Sequence, residues 1–280
     1  TRRARETDAP IWQLPFIYGA FALIIGLALL PHLGVIVASF AKDWTSTLLP
    51  TWTTENYGRI FGEHGGYAIS AIKISLLCAI LSMTIDVIAG AALAYALVRG
   101  NVWGRGVLDT LAMLPLALPG LILAFGLLVS FVGTPLNPLV NAIPLLVVSY
   151  AIRRLPYALR AVSSGLQQTS VSLEEASLNL GASPFQTVWN ITRPLVSANL
   201  IAAALLTFAF AVLEVSDSLI LAVDPNTVPL AKAIYQLSLS LSGGTYLACA
   251  LGVIGMLMLT ATFLLVNRLL GKRMGALFRV

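Results

Sequence analysis

Four stretches of the chain contain no Asp, Glu, Lys or Arg: residues 9–41, 110–152, 194–213 and 233–267. A helix needs about 20 apolar residues to cross roughly 30 Å of hydrocarbon, and these runs reach or exceed that length. Together with the apolar segment before Arg99, the pattern predicts six membrane-spanning helices, at about 14–40, 72–98, 107–132, 138–152, 195–222 and 245–267. The first reads as a transmembrane helix rather than a signal peptide, because its uncharged run far exceeds the ~7 to 15 residues of a signal core. A chain that begins at Thr1 fits a processed form, a trimmed N-terminus or an excerpt of a longer polypeptide.

Prolines interrupt two of the spans. Pro138 and Pro144 make the fourth short, tilted or broken, with a re-entrant segment as the alternative. Pro115 and Pro119 break the third. Broken helices persist in membranes only where neighbouring protein or a watery cavity satisfies the freed carbonyls. The turn at Pro119 is therefore either a packing kink or part of a transport path.

Positive residues orient the bundle, because short basic loops stay on the cytoplasmic side. With the N-terminus inside, Arg2, Arg3, Arg5, Arg99, Arg105, Arg153, Arg154, Arg160, Arg193, Arg268, Lys272, Arg273 and Arg279 face the cytoplasm. Lys42, Arg59, Lys73 and Lys232 face outward, a split of 13 against 4 that places both termini in the cytoplasm. Trp44, Trp52, Tyr57 and Tyr67 then suit an outer interfacial belt.

Composition sharpens the class. Of 280 residues 58% are hydrophobic and only 10% charged, and 17 basic plus 12 acidic side chains fall far below the roughly 70 of a soluble domain this long. That excludes an ordinary soluble enzyme. The net charge of +5 belongs to inside loops and does not imply nucleic acid. Cys78 and Cys249 lie in apolar runs and read as buried thiols, while His32 and His64 are isolated from each other and from both cysteines, so no metal site is expected. The chain lacks G-x-x-x-x-G-K-[ST], H-E-x-x-H and G-x-S-x-G, so no ATPase site, cofactor or catalytic constellation is expected within it.

The longest polar stretch, 153–193, carries local signals. Ser172-Leu173-Glu174-Glu175 has the S-x-x-E pattern of a capping box and predicts a helix from Leu173. Gly181 ends it, and Ser183-Pro184-Phe185-Gln186 restarts a second helix. Leu173, Ala176, Ser177 and Leu180 share one face, with Glu174 and Asn179 pointing elsewhere. So short a helix needs something to pack on: either the underside of its own bundle or a cytoplasmic partner.

The run Glu175-Ala176-Ser177-Leu178-Asn179-Leu180-Gly181, followed nine residues later by Ile191-Thr192-Arg193-Pro194, resembles the EAA loop of binding-protein-dependent ABC importer permeases. The family pattern is E-A-A, three residues, G, nine residues, I-x-L-P, and this chain departs from it at Ser177 and Arg193. Ala94 to Arg99, Gly104-Arg105-Gly106, the segment 114–120 and Gly126 are similar to the branch that carries ferric iron, polyamines, thiamine and phosphonate. Leu213 to Leu221 and Ala233 to Leu237 look most like ferric-iron permeases.

The resemblance implies an all-α integral membrane protein with one permease domain over 1–280. It is expected to be a six-helix (MetI-like) bundle with a cytoplasmic coupling helix in the prokaryotic inner membrane. It also implies the partners: a cytoplasmic ABC ATPase dimer that binds ATP and Mg, an extracytoplasmic substrate-binding protein, and a second permease unit, whether a copy, a sister subunit or a fused half. Membrane lipid surrounds the whole. By the same resemblance Glu174, Glu175, Ala176, Ser177, Leu180 and Gly181 would couple to the ATPase.

Three acids remain. Asp86, Glu214 and Asp217 would each cost at least ~2.5 kcal/mol facing lipid at mid-bilayer, so they are expected to face the interior or a watery path. Interior hydrogen bonding and a role in the translocation path with Pro119 both fit. With Lys73 as the sole base inside the predicted spans, this chemistry favours a cationic cargo: ferric iron first, a polyamine or thiamine next, phosphonate or sulfate last. A secondary transporter is the alternative class.

Overall fold

The computed structural model describes residues 10–44, 48–62, 65–240 and 243–277. Arg2, Arg3, Arg5, His64 and Arg279 lie outside the described residues.

The chain is helical almost throughout. Helix α1 (Leu14–Ser39) leads into a small antiparallel hairpin, β1 (Ala41–Asp43) with β2 (Thr51–Trp52), paired at Ala41 with Trp52. Helix α2 (Glu55–Phe61) follows, and Asn56 clamps the hairpin by donating from Nδ2 to the carbonyls of Ser39 and Ala41 at 3.0 and 2.8 Å. Helix α3 (Gly65–Arg99) begins several residues before the expected 72. At 35 residues it is about 52 Å long, well beyond the hydrocarbon thickness.

Helices α4 (Arg105–Met113) and α5 (Gly120–Phe131) form an apolar pair bent by 96°, a broken span or a re-entrant loop. Pro115 lies in a tight turn over Leu114–Leu116, and Pro119 holds the extended backbone that starts α5. Two prolines in five residues thus remove the donors that a straight helix would need.

The fourth element differs from its sequence reading. Helix α6 (Ile143–Gln168) starts with Pro144 in its first turn, where a missing N–H costs nothing, and runs unbroken far past 152. Arg153 and Arg154 therefore stand inside the helix instead of opening a polar loop. Helices α7 (Val171–Asn179), α8 (Pro184–Thr187) and α9 (Arg193–Leu195), the last two joined by a π turn over Val188–Thr192, form the compact loop. The segment Pro184–Leu195 then turns by 74° into α10 (Ser197–Val212). The short α11 (Ser216–Leu221), α12 (Leu230–Ser238) and the long α13 (Gly244–Leu277) complete the chain.

Three of the described helices are long and apolar enough to cross a membrane, Ile11–Ser39, Gly65–Arg99 and Gly244–Leu264, or up to five if each bent pair counts as one span. The centre of the molecule is α6, packed along α3 and α10, with α5 on α11, and α1 and α12 on α13. Small residues set the spacing. A Cβ on Gly90 would lie 2.7 Å from that of Ala158, so α3 and α6 touch there backbone to backbone, as membrane helices do at small residues. Gly165 likewise makes room for Asn199, whose Nδ2 donates to Ala161 O at 3.1 Å. Cys78 is buried, Cys249 is half-buried, and both are free thiols.

Candidate functional site

Two assemblies of polar residues stand out against this apolar background. The first is the loop after α6. Thr169 is extended, and the Ser170 hydroxyl caps α7 by accepting from Ser172 N at 3.3 Å. The cap therefore sits two residues earlier than the S-x-x-E pattern indicated, because Ser170 is as good a cap as Ser172 and comes first after the extended residue. Ser172 instead shares a 2.6 Å hydrogen bond with the Ser170 hydroxyl.

The two acids of α7 face different ways. Glu174 is buried and accepts from Arg99 Nε at 3.1 Å, while Glu175 is exposed. Arg99 also donates to the Thr169 carbonyl and hydroxyl at 3.0 and 2.8 Å, so one guanidinium joins the end of α3, the end of α6 and the first turn of α7. Gly181 has φ +88° and closes α7 with two bonds, Gly181 N to Leu178 O at 2.9 Å and Ala182 N to Ser177 O at 3.2 Å. That pairing is the Schellman ending, which only glycine adopts cheaply. Ser183 and Gln186 form both bonds of a capping box.

Ser177, where the family pattern has Ala, bonds the Thr187 hydroxyl at 3.0 Å and ties α7 to α8. Leu173, Ala176 and Leu180 are exposed, Leu180 at 89%. The loop thus presents an uncovered small and apolar face on a helix anchored from behind.

The second assembly lies within the bundle. Glu214 occupies the break between α10 and α11, and Asp217 is in the first turn of α11, where the helix dipole favours a carboxylate. Arg153 Nη1 lies 2.8 Å from Glu214 Oε2 and 3.0 Å from Asp217 Oδ1. Ser149 Oγ donates to Asp217 Oδ2 at 2.9 Å. Arg154 Nη2 pairs with Glu214 Oε2 and donates to Phe210 O at 2.8 Å, and its guanidinium lies 4.9 Å from the Tyr150 ring centre. A Cβ on Gly120 would fall 2.5 Å from Arg153 Nη1 and 2.7 Å from Asp217 Oδ1, so the proline break beside Pro119 delivers a residue without a side chain to the ion pairs. A cavity of about 230 Å³ opens here, between Pro115, Leu116, Tyr157, Phe210 and Leu213, with Arg153, Arg154 and Glu214 in its wall.

The structure thus brings Glu214, Asp217 and the Pro119 turn together and adds Arg153 and Arg154, which the charge count had assigned to a cytoplasmic loop. Two acids meet two bases, so the expected absence of interior positive charge does not hold. Asp86 stands apart. It is fully buried in an apolar cavity with Ala89, Val148 and Leu155, and neither carboxylate oxygen has a hydrogen-bond partner among the described residues. Lys232 is also interior: its ammonium donates to the carbonyls of Ser218, Leu219 and Ala222 at 3.1, 3.1 and 2.8 Å, capping the end of α11. Charge counting missed the Arg153 and Arg154 pairings because their acids lie 60 or more residues further along the chain. Among the described residues no group of His, Cys, Asp and Glu is arranged to hold a metal ion.

Comparison with known proteins adds a lineage to this geometry. Residues 86–276 match the family model for a binding-protein-dependent transport system inner membrane component. A ferric transport system permease protein, FbpB, from Actinobacillus pleuropneumoniae is 29% identical over 238 residues, covering 85% of this chain and 34% of that protein. A molybdate/tungstate transport system permease protein, WtpB, from Thermococcus kodakarensis is 26% identical over 164 residues, covering 59% of this chain and 65% of that one. The chain thus spans about a third of the length of the ferric relative and just under two thirds of the molybdate/tungstate one. In structure it resembles a bacterial ABC transporter involved in the import of the acidic polysaccharide alginate, with a TM-score of 0.69 at 19% identity, covering 94% of this chain and 99% of the other.

Proposed function

Since the chain belongs to the family of binding-protein-dependent transport system inner membrane components, we propose that it is the membrane-spanning subunit of an ATP-driven importer. It takes cargo from an extracytoplasmic binding protein and passes it inward by alternating access. A cytoplasmic ATPase dimer supplies the ATP hydrolysis, with Mg and ATP bound on that partner. The family membership replaces the secondary-transporter alternative.

In this reading six spans arise when α6 joins the three long helices and two bent pairs, and both termini are cytoplasmic. The observation that carries the proposal is the anchored loop: α7 is capped at both ends, pinned by Arg99, and uncovered at Ala176 and Leu180. Glu175, Ala176, Ser177, Leu180 and Gly181 then form the docking element for the ATPase, and Glu174 holds it from within. Co-purification tests this. A stoichiometric ATPase that stays with the wild-type chain and is lost from Glu175→Lys and Gly181→Val supports the assignment, while full ATP-driven uptake by either variant removes that residue from it.

For the cargo, ferric iron remains the first reading, now on the ferric permease alignment over 85% of the chain and no longer on the sign of the interior charge. Arg153 and Arg154 neutralise the acids that had favoured a cation. A second reading, an oxyanion, is favoured by the partly exposed Arg153 guanidinium in the cavity wall. Polyamine or thiamine ranks behind these two. The test is stimulation of ATPase activity by the cognate binding protein loaded with ferric iron or with molybdate: stimulation by the iron-loaded form alone supports the first, by the molybdate-loaded form alone the second.

A further inference from the structure

Between α3, α6 and the π turn lies a groove of about 520 Å³ whose walls are mostly aliphatic, among them Val87, Ala91 and Val162. Three polar features at one end do not fit a simple apolar crevice. The first is Thr192. Thr84, Thr110, Thr207 and Thr262 each donate their hydroxyl to the carbonyl four residues back, the usual resource of a helical threonine. Thr192 closes the π turn, is only 3% exposed, and its hydroxyl has no partner among the described residues. It lines the groove, which offers it no acceptor of its own.

The second is Arg193, which stands where the family pattern has Leu. It is exposed, makes no ion pair among the described residues, and lies over the Trp189 ring with its guanidinium carbon 4.0 Å from the centroid. The third is Trp189 itself, half exposed at the groove's edge, as interfacial tryptophans are.

We propose that this groove is a binding site for an anionic phospholipid of the cytoplasmic leaflet. An acyl chain fills the aliphatic walls, the phosphate meets Arg193, and rotation of the buried Thr192 side chain presents its hydroxyl to a glycerol ester carbonyl. Charge and hydrogen bonding both select this occupant. A packed apolar helix would leave Thr192 without an acceptor and Arg193 without a counter-charge, whereas a lipid supplies both, and basic pockets beside cytoplasmic helix ends attract acidic headgroups. Tyr95 extends the consequence: it lines the groove within electrostatic range of Glu174, so the bound lipid lies beside the element that anchors α7. The leaflet assignment rests on the topology in the proposed function; the site itself rests on the groove.

Native mass spectrometry of the detergent-purified protein, with whatever partners co-purify, tests it by titration with phosphatidylglycerol, phosphatidylcholine or inorganic phosphate. The expected result is retention of one phosphatidylglycerol with about fivefold preference over phosphatidylcholine, the size that one interfacial arginine confers. Arg193→Leu should abolish the preference, Arg193→Lys should keep most of it, and Thr192→Val should weaken retention of both lipids. Inorganic phosphate should neither bind nor compete. A photoreactive residue in place of Ala91 should yield a lipid adduct. Equal retention of the two lipids, an unchanged preference in Arg193→Leu, or a protein–protein band from the Ala91 position would overturn the proposal. Loss of the ATPase from the purified protein would count against the proposed function while leaving the lipid count readable.

Discussion

At the scale of single residues, the two kinds of interior carboxylate predict opposite behaviour. Asp217 accepts from Ser149 and pairs with Arg153, so Asp217→Asn leaves the partly exposed Arg153 short of charge, and Glu214→Gln does the same to the buried Arg154. Breaking one member of a buried pair costs about 3–5 kcal/mol, and both variants should lower the melting temperature of the purified protein. Asp86 has no hydrogen-bond partner to lose among the described residues. Asp86→Asn removes the cost of desolvating an unpaired acid and should leave the melting temperature unchanged or raise it. A marked drop would show that Asp86 has a partner after all. Gly120→Ala is the third residue-scale case: its methyl would collide with Arg153 and Asp217 and should cost about 1–3 kcal/mol on the same measurement.

At the scale of elements, the caps of α7 separate two readings of one sequence. If Ser170 is the cap, Ser170→Ala should destabilise the helix by about 1 kcal/mol and speed amide exchange in its first turn about fivefold. Ser172→Ala should change it little; the reverse order would restore the S-x-x-E box. Gly181→Val should strain the ending by about 1–2 kcal/mol through its φ of +88°. The second capping box and the Gly181 ending were legible because caps are local: three or four adjacent residues contain the whole instruction. The inward turn of Glu174 was not, because its partner Arg99 lies 75 residues earlier in the chain. Nor was the length of α6, since a charged residue after an apolar run reads as the start of a loop unless its counter-charge, some 60 residues further on, is known.

At the scale of the molecule, the length of the charge-free apolar runs foretold the membrane class and most of the long helices, whereas the interior ion pairs emerge only when α6 and α10 are side by side. The topology remains a prediction. A cysteine placed at Ser183 should be labelled by membrane-impermeant reagent only after permeabilisation, and one at Thr51 without it. Labelling in the opposite sense would invert the bundle. The Arg99 clasp also has a mechanical side. Helix α3 is a rod whose backbone meets that of α6 at Gly90, about 14 Å from the Arg99 end and about 38 Å from Gly65. A rod with its fulcrum there has unequal arms, so tugging the short arm through Arg99 by one ångström would swing the far end by nearly three. The guanidinium that looks like a fastening is placed where a small torque at one end of α3 becomes a wide excursion at the other.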